Sequence, residues 1–193
     1  MTEIELKAHV ADRDALIAVL NRNAVYKRHV LRDDEYYGKS QTDKHKIRLR
    51  KESDECGTEY LVTYKRKELR TDETGTTIEV NDEKECTVSG PEALTAFLKD
   101  TGYDVQLKKH KDVMDWELVI PAGSLMDQEL KATFELCAVP PLGDFLEIEI
   151  LTPDDEVQTV EKVHSKLEEL LEMTGIPKSA IEKRYYSEML RNI

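Results

Sequence analysis

The chain is poor in everything that would cross-link it, anchor it in a membrane or bind it to nucleic acid. Its three cysteines, Cys56, Cys86 and Cys137, are odd in number, far apart and without CxxC spacing. They read as free thiols in a reducing compartment, and neither disulfides nor a zinc site is expected from them. The five histidines, His9, His29, His45, His110 and His164, show no ligand spacing and read as structural or exposed. No apolar run approaches the roughly 20 residues of a membrane span. The opening Met1–Lys7 alternates charge from its first residues, so no export signal is expected and the expected location is cytoplasmic. Positive charge is in deficit too. A formal net charge of -12 argues against non-specific nucleic-acid binding, which needs basic surface, although a total leaves room for a local cationic pocket. Repeats, low-complexity tracts and dividing linkers are also missing, so the 193 residues are read as a single domain, 1–193.

What is present is alternation. Thr2–Val10, Lys46–Lys51, Glu59–Lys65 and Phe145–Leu151 alternate with period two, the mark of strands. Asp34–Tyr37, Thr76–Val88, Val105–Leu118 and Glu129–Ala138 do so more weakly. Helices are expected over Arg13–Asn21 behind an Asp12 cap, from a Ser89–Glu92 capping box to about Lys99, and from the acidic Thr152–Asp155 to Met173, where Gly175 ends the helix. A last short helix is expected over Lys178–Leu190. Turn residues fill Gly38–Asp43, Asp54–Gly57, Thr71–Gly75 and Pro121–Asp127. Many strands with few helices indicate an α+β fold on an antiparallel sheet.

Strand side chains at i and i+2 share a face, and here the faces are sorted by sign. Glu3, Glu5 and Lys7 oppose Ile4, Leu6 and Ala8; Glu147 and Glu149 oppose Leu146, Ile148 and Ile150. Lys46, Arg48 and Arg50 oppose Ile47 and Leu49, and Lys109 shares a face with Lys111. A half-buried sheet wetted on one side explains the alternation, but it explains this segregation poorly, because like charges side by side on a strand repel. Paired carboxylates suit a hard divalent ion such as Mg²⁺ or Mn²⁺, while rows of Arg and Lys suit phosphate oxygens. A polyphosphate carrying a metal needs both. An antiparallel sheet of about eight strands, closed with its charged face inward, would enclose one such ligand. Pattern alone leaves the wetted sheet and the closed barrel both open.

The same residues resemble the CYTH domains, or triphosphate tunnel metalloenzymes. Glu3-Ile4-Glu5-Leu6-Lys7 is similar to their opening ExExK, Asp34-Glu35-Tyr36-Tyr37 to a second-strand Asp-x-Tyr motif, Lys46–Arg50 to an Arg-x-Arg strand, and Val62–Lys65 to a strand ending in lysine. Val139-Pro140-Pro141-Leu142-Gly143-Asp144-Phe145-Leu146-Glu147-Ile148-Glu149 resembles the late Val-x-x-Leu-Gly-x-Phe-x-Glu-x-Glu, and Lys183–Leu190 the closing basic-aromatic helix. In this order the motifs span nearly the whole chain.

The resemblance implies an eight-stranded antiparallel β-barrel, a tunnel with helices packed on its outside. It implies Mg²⁺ or Mn²⁺ on Glu3, Glu5, Glu147 and Glu149, with Glu135, and phosphates on Lys7, Arg48, Arg50, Lys65, Lys109, Lys111 and Arg184. It also implies a Tyr36–Lys65 pair assisting hydrolysis. The sequence departs from the pattern at Gly38, where an acidic residue is usual, at Cys137, where cyclase-like members carry Asp, and at Lys111, where Arg is usual. Which of Glu79, Glu83 and Glu85 face inward is left open.

The expected function is metal-dependent hydrolysis of a triphosphate, whether inorganic triphosphate, ATP or thiamine triphosphate. The alternatives are a class IV adenylyl cyclase, which makes cyclic AMP and pyrophosphate, and a binding module for nucleotide or polyphosphate. Catalysis would come chiefly from positioning and electrostatics. The expected partner is this small triphosphate, with neither nucleic acid nor membrane, and the sequence carries no signal for oligomeric state.

Overall fold

The computed structural model describes residues 2–40, 46–71, 77–154 and 156–191, with the backbone alone at 65–71 and 77–83. The expected α+β class is found. Among the described residues, eight antiparallel strands form one sheet, accompanied by four α-helices. The strands are β1 (Thr2–His9), β2 (Val25–Gly38), β3 (Lys46–Asp54), β4 (Gly57–Thr71), β5 (Thr77–Val88), β6 (Asp104–Ile120), β7 (Leu130–Val139) and β8 (Gly143–Thr152). Their order is β1-β8-β7-β6-β2-β3-β4-β5. Among the described residues, no helix is long and apolar enough to cross a membrane.

The chain divides into two compact units, 1–29 with 112–193, and 30–111. In the first, Ile4, Leu6 and Ala8 of β1 join Phe134, Leu136, Leu146, Ile148, Ile150 and Trp116 in one apolar cluster. Helix α1 (Arg13–Asn23) adds Leu16 and Leu20, and α3 (Val157–Met173) adds Val163, Leu167, Leu170 and Leu171, spaced i, i+4, i+7 and i+8 along one face. At this register the acidic side chains of β1 and β8 fall on the opposite face. Trp116 is fully buried and donates from Nε1 to Asn21 Oδ1 at 2.8 Å, the partner a buried indole needs. Between β7 and β8 the turn runs through Pro140-Pro141 to Gly143, whose φ of 102° suits a residue without a side chain. In the second unit, Leu98 of α2 (Glu92–Asp100) is buried with Tyr37 and Leu49, and Ile47 and Val62 pack against them.

Asp12 caps α1 as expected, its Oδ1 accepting from the Ala15 N–H at 2.9 Å. The Ser89–Glu92 capping box does not form. Pro91 holds the cap position, with no side-chain bond there. The acidic residue expected to open α3 lies before it, where Asp154 Oδ1 accepts from the Glu156 N–H at 3.2 Å. The single helix expected over Lys178–Leu190 is broken in two. A 3₁₀ turn (Lys178–Ala180) gives way to an extended stretch, and α4 (Tyr186–Arg191) follows. The interruption has a cause: Ile181 bridges to Ala8 of β1, and the Glu182 N–H donates to the Lys7 carbonyl at 2.8 Å. Strand β2 begins at Val25, well before the expected Asp34.

Candidate active site

The first unit gathers the carboxylates. Register places Glu5 opposite Glu149 and Lys7 opposite Glu147 across β1 and β8, and Glu147 opposite Glu135 across β8 and β7. Burial pushes the Glu149 carboxyl up to about 8, and the charges of Glu3, Glu135, Glu5 and Glu147 push the same way. The other four expected metal ligands therefore all lie within electrostatic reach of Glu149. Glu135, Cys137 and Glu147 can each offer a ligand atom within 4.8 Å of the other two.

Lys7 is buried in this group. Its Nζ donates to the Arg184 carbonyl at 2.6 Å and sits 4.3 Å from the centre of the Tyr186 ring. Tyr186 is buried edge-on against Phe145, and burial together with Glu147 and Cys137 raises its hydroxyl's pKa far above the usual tyrosine value. The Arg184 guanidinium is exposed and engages Glu182, whose carboxyl its hydrogen bonds pull down.

The second unit gathers cations around one buried anion. Asp34 of β2 is buried, with its side chain out of contact with water. Arg50 Nε donates to its Oδ1 at 2.7 Å and Arg50 Nη2 to its Oδ2 at 3.1 Å, a two-pronged grip. Lys109 Nζ lies 3.1 Å from Oδ2, and the Tyr36 hydroxyl donates to the same oxygen at 3.4 Å. Burial alone would raise the Asp34 carboxyl, but the bond from Arg50 and the charges of Lys109, Arg50 and Arg48 overcome it and hold its pKa far below the usual range. Arg48 Nη2 donates to Thr63 Oγ1 at 2.9 Å and to Glu85 Oε2 at 3.3 Å, while its buried Nε has no hydrogen-bond partner among the described residues. Lys111 is buried as well. Glu85 thus shares a face with Arg48. The side chains of Lys65, Glu79 and Glu83 lie outside the described residues.

Several residues gained no role from sequence reasoning. Asp34 opens the Asp-x-Tyr motif, whose pattern assigns it no role. Asp115 shares parity with Lys109 and Lys111, is buried opposite Glu135 and accepts from Arg28 Nε at 3.0 Å. Arg32, with the parity of Asp34, is buried against Glu52 at 2.9 Å. Extending the same period-two count would have found all three. Tyr186 carried no periodic signal. The described histidines pair with exposed or half-exposed carboxylates or with Glu182, and His45 lies outside the described residues. No disulfide joins Cys56, Cys86 and Cys137.

No family model matches this sequence, and no curated protein does. Solved structures do share its fold. A Pyrococcus horikoshii protein is 24% identical with a TM-score of 0.74, over 98% of this chain and 98% of its own. A Vibrio parahaemolyticus protein named as a candidate adenylate cyclase is 18% identical with a TM-score of 0.71, over 99% and 98%. A Hippeastrum protein, also named as a candidate adenylyl cyclase and described as having a dominant triphosphatase activity, is 14% identical with a TM-score of 0.62, over 100% and 96%. At these identities the likeness is one of fold.

Proposed function

We propose, starting from the CYTH-type fold this chain shares with those structures, that it is a metal-dependent triphosphatase. The carrying observation is the carboxylate cluster around Glu149, whose pKa burial first and these neighbouring charges next raise to about 8. So much like charge on adjoining strands is unfavourable unless a cation joins it. The donor set fits a hard divalent ion: Glu3, Glu5, Glu135, Glu147 and Glu149 offer oxygen ligands, and Mg²⁺ or Mn²⁺ is assigned to them. When bound, the ion supplies Lewis-acid polarisation of a phosphoryl oxygen.

The remaining work belongs to side chains. Arg50 and Lys109, pre-oriented by Asp34, would receive phosphate oxygens without first losing conformational freedom. Arg48 Nε offers a buried donor that a phosphate oxygen would satisfy. Lys7, Lys111, Arg184 and Lys65 complete the phosphate ligands, Arg184 by exchanging Glu182 for substrate. Tyr36 and Lys65 orient the attacking water. Water adds to the terminal phosphorus, the bridging phosphoanhydride P–O bond breaks, and the diphosphate fragment departs as the leaving group. The attacked phosphorus is released as orthophosphate, with the water proton passing to solvent. This reading uses 1–193 as one functional domain and carries with it closure of the eight strands into a tunnel.

A second reading is favoured by the name of the Vibrio neighbour: adenylyl cyclase, in which the ribose 3′-hydroxyl attacks the α-phosphorus and pyrophosphate leaves. One assay separates the two. Purified protein is incubated with ATP, inorganic triphosphate or thiamine triphosphate in Mg²⁺ or Mn²⁺, and orthophosphate, pyrophosphate and cyclic AMP are resolved. Orthophosphate is the expected product. Cyclic AMP with pyrophosphate from ATP would replace hydrolase by cyclase, and metal-dependent binding without any product would leave a binding module.

A further inference from the structure

Cys137 stands among carboxylates. On β7 it lies two residues from Glu135 and so on the same face, and Glu147 of β8 is the register partner of Glu135. The Cys137 Sγ and one carboxylate oxygen from each glutamate lie within 4.8 Å of one another, a spacing that lets three ligands meet at one ion. A buried cysteine is ordinarily a small apolar filler among apolar neighbours. This one is fully buried, with Glu147 buried and Glu135 half-buried beside it. Its Sγ donates to the Glu135 carbonyl at 3.7 Å, a long sulfur hydrogen bond.

We propose that Cys137 is a metal ligand, making the Glu135–Cys137–Glu147 end of the cluster a mixed oxygen–sulfur site that selects borderline divalent ions such as Zn²⁺, Co²⁺ or Cd²⁺ over Mg²⁺. The proposal rests on the metal-binding reading above and refines it at Glu135 and Glu147, where a borderline ion takes the place of Mg²⁺ or Mn²⁺. Mg²⁺ takes hard oxygen ligands and gains little from sulfur, whereas thiolate ligation strongly favours the softer ions. Binding exchanges the S–H bond for a sulfur–metal bond and releases the proton to solvent. Glu3, Glu5 and Glu149 remain an all-oxygen set suited to Mg²⁺ or Mn²⁺, so the two ends of the cluster differ in the ion they prefer.

The test uses the full chain with its two exposed thiols removed, Cys56→Ser and Cys86→Ser. Co²⁺ is titrated in, and the near-ultraviolet thiolate-to-cobalt charge-transfer band is followed with Mg²⁺ as competitor. The expected result is a band that saturates at one equivalent and survives excess Mg²⁺. Adding Cys137→Ser should abolish the band and lower Co²⁺ affinity by at least about tenfold, since even outer-shell changes cost about 10–100-fold. No band, or a band that persists in Cys137→Ser, overturns the proposal. If that variant fails to fold, Glu135→Gln keeps the thiol and must weaken Co²⁺ binding; an unchanged affinity there also overturns it. Triphosphate turnover in Mg²⁺ is measured separately. Turnover without a cobalt band removes the sulfur ligand alone, and a band without turnover removes the triphosphatase alone.

Discussion

Asp34 and Glu149 are both carboxylates largely withdrawn from water, yet their surroundings drive them in opposite directions. Burial raises the pKa of each. Around Asp34, a two-pronged bond from Arg50 and the charges of Lys109 and Arg48 overcome burial and keep it ionised. Around Glu149, the carboxylates of Glu3, Glu135, Glu5 and Glu147 reinforce burial and keep it protonated up to about 8. The cationic patch is therefore organised at rest by an anion of its own. The acidic patch is organised around repulsion, which a proton relieves in part and a divalent ion relieves better. Preorganised cations and crowded carboxylates are thus divided between different strands.

The sharpest way to break this contrast is Asp34→Asn. It keeps the shape but leaves Arg50 and Lys109 buried beside a neutral amide, and loss of one partner of a buried charge pair costs about 3–5 kcal/mol. Chemical denaturation should show that loss, and a change under about 1 kcal/mol would mean the patch is not held together by Asp34. An intermediate effect is expected from pH. A raised carboxylate pKa means that the folded state holds the Glu149 proton more tightly than the unfolded chain does. That advantage is complete below the ordinary carboxylate pKa and is lost as pH rises to about 8. The metal-free melting temperature should fall between about pH 6 and about pH 9, Mn²⁺ should restore it, and Glu149→Gln should flatten the curve. A metal-free protein equally stable at both ends would break the comparison on its acidic side. Asp34 has the opposite sign: its contribution is present above the ordinary carboxylate range and disappears only as pH falls through its depressed value. The smallest effect belongs to Glu85→Gln. Glu85 is partly exposed on Arg48, so stability should change by about 1 kcal/mol or less. Tripolyphosphate should bind more tightly by calorimetry once that competing carboxylate is gone, and weaker binding would make Glu85 a helper.

Much of this was legible in the sequence where alternation met burial. β1 and β8 alternate strictly because one side of each lies in the apolar cluster, and so their acidic faces could be read directly. The first part of β2 was not legible, because Val25–His29 is exposed on both sides and no contrast between inside and outside marks it as a strand. Nor was the role of Asp34. A period of two tells which residues share a face but not which strand lies alongside, and the partners of Asp34 come from Arg50 on β3 and Lys109 on β6. The break in the expected C-terminal helix was hidden for a similar reason. Its cause is backbone pairing with Ala8 and Lys7, which leaves no trace in side-chain pattern.

That backbone pairing ties the tail to the acidic strands. Ile181 and Glu182 are fastened to the same β1 residues, Ala8 and Lys7, whose neighbours Glu3 and Glu5 belong to the carboxylate cluster. The Lys7 ammonium in turn rests on the Arg184 carbonyl and the Tyr186 ring. Peeling the tail from β1 would bare a strand edge to other chains and, in the same movement, strip the acidic cluster's lysine of its support. Cleavage near residue 178, or a fusion that strains this stretch, would therefore show itself twice over, as stickiness between copies and as a disturbed carboxylate cluster.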